Sequence, residues 1–140
     1  MQVSQVMTRN PACCEPSTSL SEVARLMADH DCGCIPVCDD SNHPIGVITD
    51  RDICIEAVAR GKNPSQLKAS NIMHSPVFWV NADADLQECC KLMEEKRIRR
   101  VVVEDRDGSC CGIIAQADIA RTAPWEEIGE VVECISQPAH

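Results

Sequence analysis

Hydrophobic positions along this chain follow two patterns, the short apolar runs of strands and the three-to-four-residue spacing of amphipathic helices. In order, the patterns predict a strand, a helix, two strands and a helix, and then the same five elements again. In the first half the predicted elements lie at 12–15, 19–31, 34–38, 46–49 and 50–60. In the second half they lie at 77–80, 85–93, 100–104, 111–114 and 118–122. Each half is therefore predicted to fold as a β-α-β-β-α unit.

Polar residues mark the first helix of each half. Ser19 precedes Glu22 by three residues, and Asp85 precedes Glu88 by the same spacing, as in a capping box. Pro36 restricts its strand to a sheet edge or an irregular position, because proline cannot donate a ladder hydrogen bond.

The C-terminal segment has a pattern of its own. Pro124 is expected to interrupt the helix before it, and residues 126–135 can form a last amphipathic helix. Its apolar face consists of Ile128, Val131, Val132 and Ile135. We expect this face to pack on its own module or across a dimer, with docking of a partner protein as the alternative.

The two halves are related by a constant offset of 66 residues. Eleven identities occur over about forty-seven aligned positions, whereas ordinary residue usage gives roughly three by chance. The identities are Met7/Met73, Leu20/Leu86, Glu22/Glu88, Leu26/Leu92, Met27/Met93, Val37/Val103, Asp39/Asp105, Gly46/Gly112, Ile48/Ile114, Asp52/Asp118 and Ile53/Ile119. One unit is too small to cover both faces of its sheet, so the halves are expected to pack with pseudo-two-fold symmetry.

The most informative stretch reads GVITDRDI in the first half (Gly46–Ile53) and GIIAQADI in the second (Gly112–Ile119). Thr49 stands three residues before Asp52, a spacing typical of a helix start. The N-terminus of a helix offers unpaired N–H groups and partial positive charge, which favour an anion. The second copy has Ala115 in place of the threonine and lacks its hydroxyl.

Composition excludes several classes of function. The net charge of −9 over 140 residues argues against nucleic acid, which requires clustered basic residues. Phe78, Trp79 and Trp125 are the only aromatic residues, too few for a base-stacking platform. No apolar run approaches the ~20 residues of a membrane span, and the first residues lack a signal-peptide core. We therefore expect a soluble cytoplasmic protein that binds neither nucleic acid nor membrane.

Eleven cysteines are unusual in a chain of this length. The odd count and three adjacent pairs argue against a disulfide framework, and most cysteines occupy apolar positions of a strand or helix. We expect most of them to be small buried hydrophobic residues in a reducing cell. Cys32, Cys34 and Cys38 leave open a zinc site with His30 or His43, although this spacing is not a standard zinc signature. Cys32 and Cys34 also leave open a redox switch. The prediction includes no metal.

Taken together, these motifs resemble a pair of cystathionine-β-synthase (CBS) domains, also called a Bateman module, over about residues 3–123. Each repeat opens near a methionine and a proline, and each has an apolar strand before the turn, IPV at 35–37 and VVV at 101–103. The first repeat also carries the Gly-apolar-apolar-Thr-x-x-Asp signature. The resemblance implies an α+β fold of two tandem β-α-β-β-α repeats packed as one CBS pair. The predicted segments are repeat 1 at 1–63, a linker at 64–71, repeat 2 at 72–123 and a tail at 124–140.

The resemblance also implies a ligand. In this family the clefts between repeats bind AMP, ADP, ATP, NAD or S-adenosylmethionine. By position, Asp52 would bind the ribose and Thr49 the α-phosphate, with Asp50 beside them. The opposite repeat would provide Arg99 and Arg100 for phosphate, whose planar guanidinium groups pair bidentately. Around the base the resemblance places Ser75, Pro76 and Val77, with His74 nearby as no more than a contact.

The quasi-equivalent cleft is expected to differ. Asp118 would occupy it with Pro11, Ala12, Cys13 and Pro36. Ala115 cannot donate a hydroxyl hydrogen bond, and Cys32-Gly33-Cys34 replaces the segment Ile98-Arg99-Arg100 of the other repeat. We therefore expect one good site and one that is impaired or differently used.

The predicted function is regulatory, without catalysis, because no catalytic set of side chains stands out. The module would sense an adenine nucleotide, require no cofactor, form a homodimer and act on an effector protein. The alternatives are a cysteine-based redox or zinc-responsive sensor and a purely structural dimerisation module.

Overall fold

The computed structural model of the chain describes residues 1–122 and 125–136. Its contacts divide the chain into two compact units. The first-repeat unit is Pro11–Val77, and the second-repeat unit is Met1–Asn10 together with Phe78–His140. The units are defined by which residues contact one another in space, whereas the predicted segment boundaries are placed from the sequence repeat. Pro124, with its expected helix interruption, lies outside the described residues.

Most elements follow the order that the apolar pattern predicts, and the mixed α and β class is confirmed. In chain order they are β1 (Thr8–Arg9), α1 (Leu20–His30), β2 (Cys34–Cys38), β3 (Pro44–Thr49), α2 (Asp50–Ile53), α3 (Ala69–Ile72), β4 (Trp79–Asn81), α4 (Leu86–Lys96), β5 (Arg100–Glu104), β6 (Cys110–Ala115), α5 (Gln116–Thr122) and α6 (Trp125–Ile135). Short 3₁₀ turns cover Val3–Gln5 and Pro64–Gln66, and a π-helical turn covers Cys54–Val58.

The sheet of the second-repeat unit has four strands in the order β1-β6-β5-β4. Strand β4 runs parallel to β5, and the other neighbours are antiparallel. The first-repeat unit has the antiparallel pair β2-β3, extended by isolated bridges between Cys14 and Val37 and between Val47 and His74.

The offset of 66 residues is also present in the strand pairing. Thr8 pairs with Ile113 in one unit, and His74 pairs with Val47 in the other. The segment that precedes each repeat therefore pairs with the last strand of the other repeat. This exchange explains why Met1–Asn10 belongs to the second-repeat unit.

Each unit has its own hydrophobic core. In the first-repeat unit the fully covered side chains include Leu20, Val23, Ile35, Val37 and Ile48. In the second-repeat unit they include Val3, Met93, Val101, Val103 and Ile114. Leu20 and Leu86, and Ile48 and Ile114, occupy matching positions, so the repeat identities are largely core identities.

The terminal helix α6 packs on its own unit. Ile135 is 4% exposed and belongs to the core that contains Met93. Ile128 and Val132 are half-buried, and the side chain of Val131 lies outside the described set. The expectation of intramodular packing is thus supported at Ile135. No helix among the described residues combines the length and apolarity that crossing a bilayer requires.

The prediction of a strand at 12–15 was wrong, because only Cys14 pairs there, with Val37. Pro11 and Pro16 flank the segment and have no N–H to donate, so a ladder cannot extend. The predicted linker at 64–71 contains the start of α3. Strand β4 begins at Trp79, two residues later than the pattern predicted.

The predicted capping boxes of α1 and α4 form only in part. The Ser19 hydroxyl accepts from the Glu22 amide at 3.2 Å, but the Glu22 carboxylate pairs with Arg25. Asp85 is the N-cap of α4 without a side-chain capping bond, and its carboxylate lies 3.5 Å from the Met1 amine. A contact 84 residues away in sequence therefore replaces a local one.

Candidate functional site

The turn from β3 into α2 carries a complete capping box. The Thr49 hydroxyl accepts from the Asp52 amide at 3.2 Å, and the Asp52 Oδ2 accepts from the Thr49 amide at 2.8 Å. The side chain of Asp52 is only 15% exposed. These two bonds fix the carboxylate at the end of the strand. The helix is short, since Asp50–Ile53 continues directly into the π-helical turn.

His74 is a third member of this arrangement. Its Nε2 lies 2.7 Å from Asp52 Oδ1, although the imidazole is 68% exposed. The backbone of His74 exchanges two hydrogen bonds with Val47 of β3, at 2.9 and 3.1 Å. Both carboxylate oxygens of Asp52 therefore already have a protein partner, Thr49 for one and His74 for the other.

The equivalent turn from β6 into α5 keeps half of the capping box. The Ala115 amide donates to Asp118 Oδ2 at 2.8 Å, as Thr49 does to Asp52. Ala115 has no hydroxyl that could accept from the Asp118 amide, as the Thr49 hydroxyl accepts from the Asp52 amide. Asp118 Oδ1 accepts from Arg121 at 2.6 Å, and Asp118 is 8% exposed. The two turns thus share their backbone geometry but differ in their side-chain partners.

A methionine covers the glycine of each signature. A Cβ on Gly46 would lie 2.6 Å from Met73 Sδ, and a Cβ on Gly112 would collide with Met7 Sδ. Met7 and Met73, like the two glycines, are 66 residues apart. Each strand therefore needs a residue without a side chain where the preceding segment of the other repeat crosses it.

The residues predicted around the base lie in the first-repeat unit, directly after His74. Ser75 and Pro76 are exposed, and Val77 is half-buried. Asp50 is also exposed, and its carboxylate accepts from the Arg51 amide at 2.9 Å. The hydrogen bonds of His74 to Val47 and Asp52 bring the start of the segment 74–77 beside the Thr49–Asp52 turn.

Arg99 and Arg100 belong to the second-repeat unit, at the start of β5. Both are exposed and line a cavity of about 320 Å³ with Ala115, Gln116, Ala117 and Ala120. In the described part of the chain neither arginine has an acidic side chain within 4.0 Å. The arginines thus have Ala115 as a neighbour. Their predicted role at the Thr49 turn stays a prediction.

The residues assigned to the second cleft are divided between the units. Pro11, Ala12, Cys13 and Pro36 lie in the first-repeat unit, and Asp118 lies in the other. Pro36 is buried in β2, while the other three are half-buried. Their grouping around one ligand stays a prediction.

The cysteines behave mainly as core residues. Six of the eleven are buried, and Cys32 and Cys54 are exposed. Burial raises the pKa of Cys14 to about 12, with a further contribution from Cys13 and Glu15. Burial likewise raises the pKa of Cys89 to about 12, helped by Cys90. These thiols stay protonated at neutral pH and are poor nucleophiles.

The zinc site considered at Cys32, Cys34 and Cys38 does not assemble among the described residues. Cys32 is exposed, whereas Cys34 and Cys38 are buried. No group of three or more metal-ligating side chains in the described ranges contains Cys32, Cys34, His30 or His43.

Two partners of the acidic residues were not assigned a role by the sequence pattern. Arg121 follows Asp118 by three residues on a helix, a spacing that allows contact and was a usable signal. His74 reaches Asp52 across 22 residues. Only the pairing of its backbone with Val47 places it there.

A sequence model of the CBS domain matches this chain twice, at residues 3–58 and 69–124. The chain belongs to the CBS domain family. Hypoxic response protein 1 of Mycobacterium tuberculosis is 35% identical over 133 residues, covering 95% of this chain and 92% of that protein. The uncharacterized protein MK0525 of Methanopyrus kandleri is 35% identical over 125 residues, covering 89% of this chain. The chain spans 64% of the length of that second relative.

Solved structures agree with the fold. The crystal structure of Hypoxic Response Protein I with two coordinated zinc ions is 34% identical, with a TM-score of 0.79 over 89% of this chain and 100% of that chain. The CBS domain pair of protein MJ0100, in complex with 5′-methylthioadenosine and S-adenosyl-L-methionine, is 25% identical, with a TM-score of 0.76 over 86% and 98%. PAE2072 from Pyrobaculum aerophilum, complexed with AMP, shares the fold at 23% identity, with a TM-score of 0.79 over 95% and 99%.

Proposed function

We propose that this CBS protein is a regulatory module that binds an adenosine-containing ligand at the Thr49–Asp52 turn. The observation that carries the proposal is the Asp52 carboxylate, which two short contacts hold at the end of β3. A related CBS pair, that of MJ0100, binds two adenosine derivatives, which supports the same ligand class here.

The chemistry of the turn suits a nucleoside. An ionised carboxylate has about four lone-pair positions. Thr49 and His74 use two of them, so the ribose hydroxyls can donate to those that remain. The Thr49 hydroxyl accepts from the Asp52 amide and keeps its own proton for a phosphate oxygen. Ser75, Pro76 and Val77 would then contact the base.

Which of AMP, ADP, ATP and NAD binds best depends on how the protein contacts the phosphate groups. Arg99 and Arg100 are the candidate phosphate partners, since neither has an acidic partner within 4.0 Å in the described ranges. A guanidinium group binds phosphate bidentately, so a diphosphate or triphosphate would use both arginines better than AMP does.

The Asp118 turn is proposed as the weaker site. Arg121 holds Asp118 Oδ1 at 2.6 Å, and Ala115 provides no hydroxyl for a phosphate. A ribose would have to compete with a charged partner on the same helix. Pro11, Ala12, Cys13 and Pro36 remain the proposed companions of Asp118 if this site holds the adenosine part of a ligand.

The proposed mode of action is regulation without chemistry. A bound nucleotide changes the protein only if it binds one of two conformations more tightly. We propose a homodimer as the functional form and an effector protein as the recipient of the change. Hexameric CBS-CP12, a solved structure with 26% identity and a TM-score of 0.80 over 91% of this chain and 73% of that chain, illustrates that CBS proteins assemble.

Calorimetric titration of the purified chain with AMP, ADP, ATP and NAD tests the proposal. We expect at least one of the four to bind with about one equivalent per chain and to raise the melting temperature, since a ligand of the native state stabilises it. GMP, which has the same ribose and phosphate, serves as the control for the base. Absence of both heat and thermal shift with all four nucleotides would refute the proposal.

The His74→Ala variant tests how His74 acts on the site. We expect it to bind the nucleotide up to about fivefold more tightly, because the imidazole no longer competes with the ribose for Oδ1. The exposure of the imidazole limits the gain to ~1 kcal/mol. His43→Ala is the matched control, since His43 lies 3.8 Å from Asp39 in the turn between β2 and β3. Weaker binding by His74→Ala in the same titration would instead make His74 a ligand contact.

A metal-responsive role is the second candidate function. The solved structure of Hypoxic Response Protein I, at 34% identity, contains two coordinated zinc ions. The eleven cysteines of this chain provide thiols that could serve such a role.

A further inference from the structure

A second cavity of about 400 Å³ lies within the first-repeat unit. Of its lining residues, the nucleotide proposal uses only Cys13, at the weaker Asp118 site. Cys13 and Cys38 line the cavity from two different segments, and Glu15, Asp39 and Asp40 add three carboxylates to its wall. Cys38 is buried at the end of β2, and Cys13 is half-buried. The cavity thus combines soft sulfur donors with negative charge.

The two sulfur atoms converge. Cys13 Sγ and Cys38 Sγ lie within 4.8 Å of each other. Two thiolates on one tetrahedral Zn²⁺ lie roughly 3.8 Å apart, given Zn–S bonds of about 2.3 Å. The two sulfur atoms are thus close to the separation that one zinc ion requires. The Cys13 thiol now donates to the Pro11 carbonyl at 3.3 Å, so its proton has an acceptor within its own loop.

Backbone hydrogen bonds hold the two segments together next to the sulfur atoms. The Cys14 amide donates to the Pro36 carbonyl at 3.0 Å, and the Cys38 amide donates to the Cys14 carbonyl at 2.9 Å. These bonds join the residue after Cys13 to Pro36 and to Cys38 itself. The distance between the Cys13 and Cys38 backbones is therefore set by the fold before any ligand arrives, as a preorganised site requires.

The charges around the pair favour a cation over an anion. Glu15 and Asp40 are exposed, while one oxygen of Asp39 accepts from the amides of Ser41 and His43 at 2.9 Å each. Asp39 Oδ2 lies 3.8 Å from His43 Nδ1, which is the one basic group within that distance of Asp39 in the described part of the chain.

We propose that the Cys13 and Cys38 thiolates bind one Zn²⁺ ion in this cavity. Binding forms two Zn–S bonds and releases both thiol protons to solvent, so no oxidant or reductant is involved. Water or carboxylate oxygens from the cavity wall would complete the coordination. The inference rests on the metal-responsive candidate function and assigns the metal site of that function to Cys13 and Cys38. It is independent of the Thr49–Asp52 turn.

Metal binding to the reduced full-length chain tests the site. We expect wild type to bind one Zn²⁺ per chain here in competition with a chelating dye, and Co²⁺ in its place to give the charge-transfer absorption of thiolate ligands. Cys13→Ser and Cys38→Ala should each weaken binding by at least about tenfold, since loss of even outer-shell partners costs ~10–100-fold. Cys54→Ser, which changes an exposed cysteine outside the cavity, is the control and should match wild type.

The possible results distinguish failure of the Cys13–Cys38 site from failure of the metal-responsive function. If wild type binds no Zn²⁺ and gives no Co²⁺–thiolate band, both the site and the metal-responsive role are overturned. If wild type binds but the Cys13 and Cys38 variants bind equally well, only this site is overturned. Cys13→Ser changes the half-buried ligand and not the buried one, so the test of the site holds even if Cys38→Ala fails to fold. Asp52→Ala should bind Zn²⁺ as wild type does.

Discussion

Replacing Asp52 by alanine is expected to weaken AMP binding by about 10- to 100-fold. The ribose hydroxyls would lose a charged acceptor, and such hydrogen bonds contribute about 1.5–3 kcal/mol, with 1.4 kcal/mol per factor of ten in affinity. The low exposure of Asp52, 15%, keeps solvent from substituting for the lost bonds. Calorimetric titration with AMP measures the change directly.

Two further variants define what the carboxylate does. Asp52→Asn keeps an oxygen that can accept from the Thr49 amide, so it preserves the turn while it removes the charge. Asp118→Ala removes the equivalent residue from the turn that lacks a hydroxyl, and we expect it to change AMP affinity by less than threefold. Unchanged affinity in Asp52→Ala, or an equal loss in Asp118→Ala, would contradict the site assignment. Thermal unfolding of each variant confirms that it is folded.

Gly46→Ala and Gly112→Ala are each expected to destabilise the protein by about 1–3 kcal/mol, the usual range for overpacking a closely packed site. A Cβ on Gly46 would lie 2.6 Å from Met73 Sδ and 2.9 Å from Met73 Cγ. A Cβ on Gly112 would also meet the Thr8 carbonyl at 3.1 Å, and backbone moves less easily than a methionine side chain. Urea unfolding followed by circular dichroism gives the free energy of unfolding.

A matched glycine provides the control. Nothing lies within 4 Å of a Cβ built on Gly129, which is exposed in α6, so Gly129→Ala should stabilise by about 0.5–1 kcal/mol through helix propensity. Combining Gly46→Ala with Met73→Ala should cost less than the sum of the single changes, because the second change removes the atoms that collide. Additive losses would show that the close approach of Met73 is not the cause.

Sequence patterns predicted most elements because helices and strands depend on neighbouring residues. Strand β5 lies at Arg100–Glu104 and α1 begins after Ser19, both as predicted. The failures occur where a distant contact or a flanking proline overrides the local signal. The Asp85 carboxylate interacts with the Met1 amine and makes no capping bond to α4, and the segment at 12–15 cannot extend a ladder between two prolines.

The candidate site was predictable to the same extent. Thr49 and Asp52 are three residues apart, so their mutual hydrogen bonds follow from the local sequence. His74 is a different case, because its imidazole reaches Asp52 only after its backbone has paired with Val47. The contact between Arg121 and Asp118 could also have been predicted from the sequence, because the two residues are one helical turn apart.

The sequence by itself determined the repeat, the order of most elements within each repeat, the membership of the CBS family and the difference between Thr49 and Ala115. All of these depend on residue identity and short spacing. The tertiary structure decided which segments complete each unit, which oxygen of Asp52 meets His74, and that Cys13 and Cys38 converge on one cavity. The physical reason is that strand pairing joins residues far apart in sequence. Met7 packs against Gly112 and Met73 against Gly46 only once each preceding segment has paired with the last strand of the other repeat.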